Sequence, residues 1–172
     1  MRLFISYISL FSIILLSCNT IDNKKYISSI DSLSVQLEGA ADVYSAVDSL
    51  TLAEIRKKVK NNCDLVDYTD DTSFKKLIIP YSQISKVIKQ ILKMDTQIKK
   101  ELQLSRDQIS DLLHDVNDNL IDTTLLVQYI EDERNAVNIL IGRMNNNQQR
   151  VVFETARYDS LNPIIDKLIN SN

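Results

Sequence analysis

The stretch that decides the fold is residues 126–168, LVQYIEDERNAVNILIGRMNNNQQRVVFETARYDSLNPIIDKL. Positions that alternate between three and four residues apart run through it without interruption, and nearly all are apolar. They are Leu126, Ile130, Glu133, Val137, Leu140, Met144, Asn147, Val151, Glu154, Tyr158, Leu161, Ile165 and Leu168. Strict alternation of this kind is the seam of a coiled coil, where polar residues cost stability but can set the register. The stretch therefore predicts one helix over residues 123–169, with Pro163 bending or restarting it near the end.

The preceding segment predicts a second long helix, over residues 81–119. Its periodic positions are Ile84, Val87, Ile91, Met94, Ile98, Leu102, Ser105, Ile109, Leu112 and Val116. One extra residue between Ile98 and Leu102 predicts a stutter, which locally unwinds a supercoil. Pro80 disfavours helical geometry at Ile79. Residues 74–79 are therefore either a short separate turn or the first turn of a kinked helix.

A short break, residues 117–122, joins the two long helices, and Asp122 or Thr123 is expected to cap the second. So short a connection makes neighbouring helices antiparallel, and facing residues then have numbers that sum to about 242. The predicted neighbours are Leu112 with Ile130, Leu102 with Leu140, Ile98 with Met144, Ile91 with Val151, and Lys89 with Glu154 at the rim. At about 1.5 Å per residue the hairpin is roughly 60 Å long.

Two shorter amphipathic helices are predicted before the hairpin, over residues 26–47 and 51–64. Thr51 and Glu54 fit a capping box at the start of the second. Cys63 lies on its apolar face, where a small buried hydrophobe is expected. A basic cluster lies near the end of the same helix and consists of Arg56, Lys57, Lys58 and Lys60. This cluster is predicted to be a solvated face, with contact to anionic lipid as the alternative.

Composition favours few, long elements, because the 172 residues include only two glycines and two prolines. The clearest predicted loop is residues 64–73. Each short helix needs cover for its apolar stripe and should pack along the hairpin. The predicted fold class is therefore all-α, an elongated helical bundle with a long antiparallel coiled-coil hairpin, in which residues 26–172 form a single domain. A formal net charge of −3 gives no reason to expect nucleic acid as a partner.

The N-terminus has the pattern of a secretory signal peptide over residues 1–17, with a basic start and an apolar run that ends near Leu16. The run is shorter than the roughly 20 apolar residues that a spanning helix needs. Polar sequence follows it at once. The residues Leu15-Leu16-Ser17-Cys18 resemble the lipobox of bacterial lipoproteins.

That resemblance implies that the chain is cleaved before Cys18, which then carries a thioether-linked diacylglycerol and acyl chains such as palmitate. Two or three acyl chains anchor a protein stably, since each buried methylene contributes about 0.8 kcal/mol. Residues 18–25 would be a flexible tether. Asn19 is not the aspartate that marks inner-membrane retention in some bacteria, which favours the outer membrane of the cell envelope. Cys63 would then be the one remaining thiol, without a disulfide partner.

The sequence offers no catalytic, metal or cofactor site. It carries no P-loop, nucleophile elbow or dinucleotide fingerprint. The one histidine, His114, has acidic neighbours at 111, 115 and 118, which are expected to be solvated acids on a helix face. Asp115 opens a stretch that starts like a calcium loop, but Leu120 and Leu126 stand where that loop needs Gly and Glu.

With its anchor, the domain resembles small helical envelope lipoproteins, and no activity transfers with that resemblance. We expect a non-enzymatic interaction or scaffold module. Its partners would be the membrane, through the lipid at Cys18, and another protein or a second copy of the chain. The alternative is a small-ligand or lipid carrier with a cavity between its helices.

Overall fold

The computed structural model describes residues 23–44, 48–65 and 72–170, and within them every regular element is a helix. We number these helices α1 (Lys24–Tyr44), α2 (Ser49–Leu65), α3 (Thr72–Asn117) and α4 (Thr123–Asn170). The predicted all-α fold is confirmed. The signal peptide, Cys18 and most of the loop predicted at 64–73 lie outside the described residues.

Helices α3 and α4 form the predicted antiparallel hairpin. Glu101 accepts a hydrogen bond from Arg143, and Gln90 Oε1 accepts one from Arg150 at 3.0 Å. Nearer the start of α3, Tyr81 Oη donates to Asn162 Oδ1 at 2.6 Å. The residue numbers in each pair sum to about 242, so the predicted register is confirmed. With 46 residues in α3, the hairpin is about 70 Å long.

The stutter predicted in α3 is wrong. The core-facing positions alternate without a break from Ile84 through Ile88, Ile91, Asp95, Ile98, Leu102, Ser105, Ile109 and Leu112 to Val116, with Leu102 only partly buried. Because Asp95 is polar, the apolar pattern of the sequence follows Val87 and Met94, which are partly buried beside the true core positions. A buried carboxylate in the core thus gave the false appearance of an extra residue.

Both prolines lie inside continuous helices. Helix α3 begins at Thr72, nine residues before the predicted start at 81, and runs through Pro80. Residues 74–79 therefore belong to this helix. Helix α4 likewise passes through Pro163 without restarting. The hairpin turn contains Asn119 with a φ of 56°, a left-handed conformation that asparagine tolerates better than most residues.

Aspartates cap two of the helices. Asp122 Oδ1 accepts a hydrogen bond from the backbone N–H of Thr124 at 2.8 Å. Asp122, one of the two residues predicted as the cap, is therefore the cap. At the start of α2 the cap is Asp48, whose Oδ1 accepts from the backbone N–H groups of Leu50 and Thr51. The predicted capping box at Thr51 is wrong, because Thr51 is already inside the helix and donates its hydroxyl to Asp48 Oδ2 at 2.6 Å. At the N-terminus, α1 begins at Lys24, which shortens the predicted tether at 18–25.

Helices α1 and α2 lie end to end along the hairpin, as expected for helices that must cover an apolar stripe. Both pack against α3 and α4, and within the described residues they do not contact each other. We call the two ends of the bundle the turn end, at residues 117–122, and the far end, where α3 begins and α4 finishes. Along α1, Gln36 bonds Asn138 and the later Tyr44 bonds Asn147, so α1 runs parallel to α4. Along α2, Ser49 bonds Asp95 and the later Asn62 bonds the earlier Tyr81, so α2 runs antiparallel to α3 and parallel to α4. Each half of the bundle therefore contains three helices.

Candidate functional site

The chain leading from Cys18 joins the bundle at its turn end. Asn23 Nδ2 donates to the backbone oxygen of Val116 at 2.8 Å and to Asn119 Oδ1 at 2.9 Å. Cys18 itself is outside the described residues. Leu120 and Leu125 are exposed beside this junction, by 67% and 47%. The turn end therefore combines the attachment of the N-terminal segment with exposed apolar side chains.

The acidic neighbours of His114 are also at the turn end. His114 is exposed, and its Nε2 lies 3.5 Å from Asp118 Oδ2. Among the residues that the structure describes, no group of three histidine, cysteine or acidic side chains is arranged to hold a metal ion.

A polar layer crosses the core where α1 gives way to α2. Asn147 Nδ2 donates to Tyr44 Oη at 2.8 Å, and Ser49 Oγ donates to Asp95 Oδ2 at 3.2 Å. Lys99 Nζ lies 2.8 Å from the same carboxylate oxygen. Asp95 Oδ1 and Asn147 Oδ1 are buried without a hydrogen-bond partner. Polar groups buried in this way cost stability and can fix helix register, so the layer aligns both short helices on the hairpin.

The two buried tyrosines predict a loss of stability at alkaline pH. Burial raises the pKa of Tyr44 to about 12, with Asn147 lowering it and Asp95 raising it. Burial also raises the pKa of Tyr81, although a hydrogen bond from Asn62 lowers it. An unfolded tyrosine ionises near pH 10. The stabilising contribution is therefore complete below about pH 10 and is lost as the pH rises towards the folded-state pKa.

Urea unfolding of the parent and of the Tyr44→Phe/Tyr81→Phe variant, at pH 8, 10 and 11.5, measures this contribution. The parent should lose more stability across the series than the variant, because only the parent buries the two phenols. Equal losses in the two proteins would contradict the assignment. Unfolding at pH 8 serves as the reference for the effect of the substitutions themselves.

A row of arginines seven residues apart joins α4 to α3. They are Arg143, Arg150 and Arg157. Arg157 donates to the backbone oxygen of Pro80 and pairs with the buried Glu154, 3.3 Å away. Among the described residues Glu154 forms its ion pair with Arg157, one turn along the same helix, and not with Lys89. The position of Lys89 near Glu154 at the rim stays a prediction. Of the other polar seam residues, Asn147 is buried and Glu133 partly so.

A second polar cluster lies near the far end and is centred on the buried Asn62. Asn62 Nδ2 donates to Tyr81 Oη at 3.0 Å and to Asp166 Oδ1 at 2.8 Å. Lys58 Nζ lies 2.9 Å from Asp166 Oδ1. Desolvation raises the pKa of Asp166, but hydrogen bonds from Lys58 and Asn62 outweigh it and leave the pKa below its ordinary value. The cluster connects α2, α3 and α4.

The sequence analysis did not identify Asn62 or Tyr81. A signal was present for Asn62, because Leu52, Ile55, Val59 and Asn62 keep the spacing of three and four residues. That spacing places the amide on the buried face of α2.

A basic cleft opens between α2 and α3 in the far half of the bundle. Its volume is about 310 Å³, and it is lined by Arg56, Val59, Lys60, Cys63, Asp64, Ser82, Ser85, Lys86 and Lys89. Cys63 is half-buried. Its burial raises the pKa of the thiol, and the negative charge of Asp64 raises it further. Arg56 and Lys60 belong to the basic cluster of α2, which the sequence predicts to be a solvated face. The opposing lysines of α3 could not be placed beside it without the packing of the two helices.

Comparison with protein-family models, curated proteins and solved structures finds no match for this chain. In the described ranges, no helix combines the length and apolar character needed to cross a bilayer.

Proposed function

We propose that this chain is a lipoprotein of the bacterial cell envelope, held to the outer membrane by acyl chains on Cys18, and that its helical bundle is a non-enzymatic interaction or scaffold module. The lipobox-like residues Leu15-Leu16-Ser17-Cys18 support the anchor. The observation that carries the proposed attachment at one end is the position of Asn23, because its bonds to Val116 and Asn119 bring the N-terminal segment to the turn end.

The geometry supports an orientation in which the turn end faces the membrane. The segment from Cys18 to Asn23 spans at most about 18 Å when extended. The far end lies about 70 Å along the helices. Leu120 and Leu125 would meet the membrane surface, since apolar side chains favour the boundary between headgroups and acyl chains. The far half would then be the part available to a partner.

The core supports a scaffold rather than a carrier. Ile84, Ile88 and Ile91 are each 0% exposed, so the hairpin interior is filled by side chains. A carrier with a cavity between its helices remains the second hypothesis. A copurifying lipid detected by native mass spectrometry, on a monomeric protein, would favour that hypothesis.

The anchor is tested by a Cys18→Ala variant compared with the parent after cell fractionation. The parent should be in the membrane pellet and the variant in the soluble fraction, because the acyl chains would have no attachment site. A Cys63→Ala variant is the matched control and should stay with the membrane. Retention of the Cys18→Ala variant in the pellet would overturn the proposed anchor.

The orientation is tested on liposomes with single fluorophores, in a Cys63→Ser background, at Asp118→Cys and Asn170→Cys. Both sites are exposed, one at each end of the bundle. Spin-labelled lipid headgroups should quench the fluorophore at 118 and leave the one at 170 bright. The reverse pattern, or equal quenching, would contradict the orientation. Crosslinking in intact cells, with residue 170 as the attachment site, would then capture partners at the far end.

A further inference from the structure

We propose that the basic cleft between α2 and α3 binds an anion that carries two or more phosphate charges. The cleft lies in the far half of the bundle, about 40–50 Å along the helices from the hairpin turn. The inference does not depend on the lipid anchor, because it stands on the described residues alone.

Four cationic side chains line this cleft, and they come from two different helices. Arg56 and Lys60 come from α2, and Lys86 and Lys89 come from α3. Asp64 is the one acidic residue in the lining. Cations held on opposite walls of a cleft repel one another, so their arrangement destabilises the free protein unless an anion lies between them.

The cations of the cleft have no acidic partner. Within the described part of the chain, none of the four forms an ion pair. Arg106, Arg143 and Arg157, in contrast, pair with Glu38, Glu101 and Glu154. The cleft therefore keeps the positive charge that ion pairs neutralise at those three arginines.

Arg56 is the cation of the cleft that can bind an anion through two parallel hydrogen bonds. Its Nε is buried and has no hydrogen-bond partner among the described residues. An anion in the cleft would therefore be contacted by the terminal Nη groups of the guanidinium. The guanidinium has a planar fork of donors that matches two oxygens of a phosphate, which the compact ammonium group of lysine does not.

The size and lining of the cleft favour a small phosphorylated anion. A volume of about 310 Å³ is at the lower end of ordinary small-molecule sites. Cys63 is half-buried and contributes an apolar side chain to the lining, while Ser85 offers a hydroxyl group at the α3 wall. A single carboxylate would neutralise only part of the charge, whereas a diphosphate group could contact both walls at once.

The test uses the full-length protein in a non-ionic detergent and inorganic pyrophosphate as the probe. Calorimetric titration gives the affinity. Alkylation of Cys63, followed on its peptide by mass spectrometry, reports whether the probe occupies the cleft. A parallel arm measures binding to vesicles of cardiolipin, whose headgroup carries two phosphates, and of phosphatidylcholine. This arm separates a lipid headgroup from a free anion as the source of the phosphate.

Two double variants with the same change in net charge provide the comparison. The cleft pair is Lys60→Gln with Lys89→Gln, and the control pair is Lys25→Gln with Lys100→Gln, whose lysines are exposed outside the cleft. We expect the cleft pair to weaken pyrophosphate binding by about tenfold or more, since each lost charge-assisted hydrogen bond contributes substantially. The control pair should change it by less than about threefold, because salt screens charges beyond about 8 Å.

The outcomes are distinct. Pyrophosphate binding that slows alkylation of Cys63, and is lost in the cleft pair alone, supports the proposal. Binding to cardiolipin vesicles that is lost in the cleft pair alone also supports it, with a headgroup as the anion. Absence of binding to either probe, or an equal loss in both pairs, would overturn it. Urea unfolding of both variants verifies that they are folded.

Discussion

Replacing Arg157 with alanine should lower the free energy of unfolding by about 2–4 kcal/mol, because it leaves a buried carboxylate without its partner. The Glu154 side chain is 5% exposed and that of Arg157 is 21% exposed. Arg157 also donates to the backbone oxygen of Pro80 and to Gln83. One substitution therefore removes both the ion pair and the hydrogen bond that joins α4 to Pro80 of α3.

The chain contains a matched control for this experiment. Glu131 and Arg134 have the same spacing along α4 and also form an ion pair, but their side chains are 56% and 41% exposed. Exposed pairs contribute roughly 0–1 kcal/mol, so Arg134→Ala should have little effect. Urea unfolding at neutral pH measures both variants. Equal losses for the two would show that burial of the Glu154 pair does not decide the effect.

A second substitution identifies the source of the loss. In the Glu154→Gln/Arg157→Ala double variant the charge is absent, so part of the stability should return. If the double variant is less stable than Arg157→Ala alone, the loss comes from the missing packing and the contact with Pro80. The carboxylate would then not be its cause.

Replacing Asn62 with alanine should cost about 2–4 kcal/mol, since the buried Tyr81 and two partly buried side chains lose their donor and a small cavity remains. Asn62 is 3% exposed and donates to Tyr81, Asn162 and Asp166, which belong to the two helices of the hairpin. The adjacent Asn61 is exposed and supplies the control. Asn61→Ala should change the free energy of unfolding by less than about 0.5 kcal/mol.

The same variant should change the response to acid. The pKa of Asp166 is below its ordinary value, so its stabilising contribution is present at neutral pH and is lost as the pH falls through the folded-state pKa. Without Asn62 one of the hydrogen bonds that lower this pKa is absent. Unfolding between pH 7 and pH 3 should therefore show a smaller acid-dependent loss in Asn62→Ala than in the parent. An unchanged loss would contradict the role of the amide.

The hairpin was predictable because its evidence is repetitive. The spacing from Leu126 to Leu168 establishes a helix, and the short break at 117–122 establishes the direction of its neighbour, so the register followed. Errors arose where a polar residue occupies a core position. Asp95 suggested a stutter that does not exist, and Asp48 was overlooked as a cap because Thr51 also fits a capping motif.

Contacts between helices that are distant in sequence were less predictable. The partner of Glu154 depends on which long side chain extends to its carboxylate. The spacing of residues along one helix does not show which side chain of a neighbouring helix makes that contact. The basic cleft depends on the position of α2 beside residues 82–89 of α3. An amphipathic stripe shows that a helix is covered, but it does not show which residues stand opposite.

The end-to-end placement of α1 and α2 has a mechanical consequence. If the membrane holds the chain before Asn23 and a partner pulls on the far end, tension acts along the helix axes. Helix α1 would then slide against α3 and α4 in shear, and its contacts from Ile30 to Tyr44 would resist together. Pulling sideways on the same helix would instead separate those contacts one after another, at lower force.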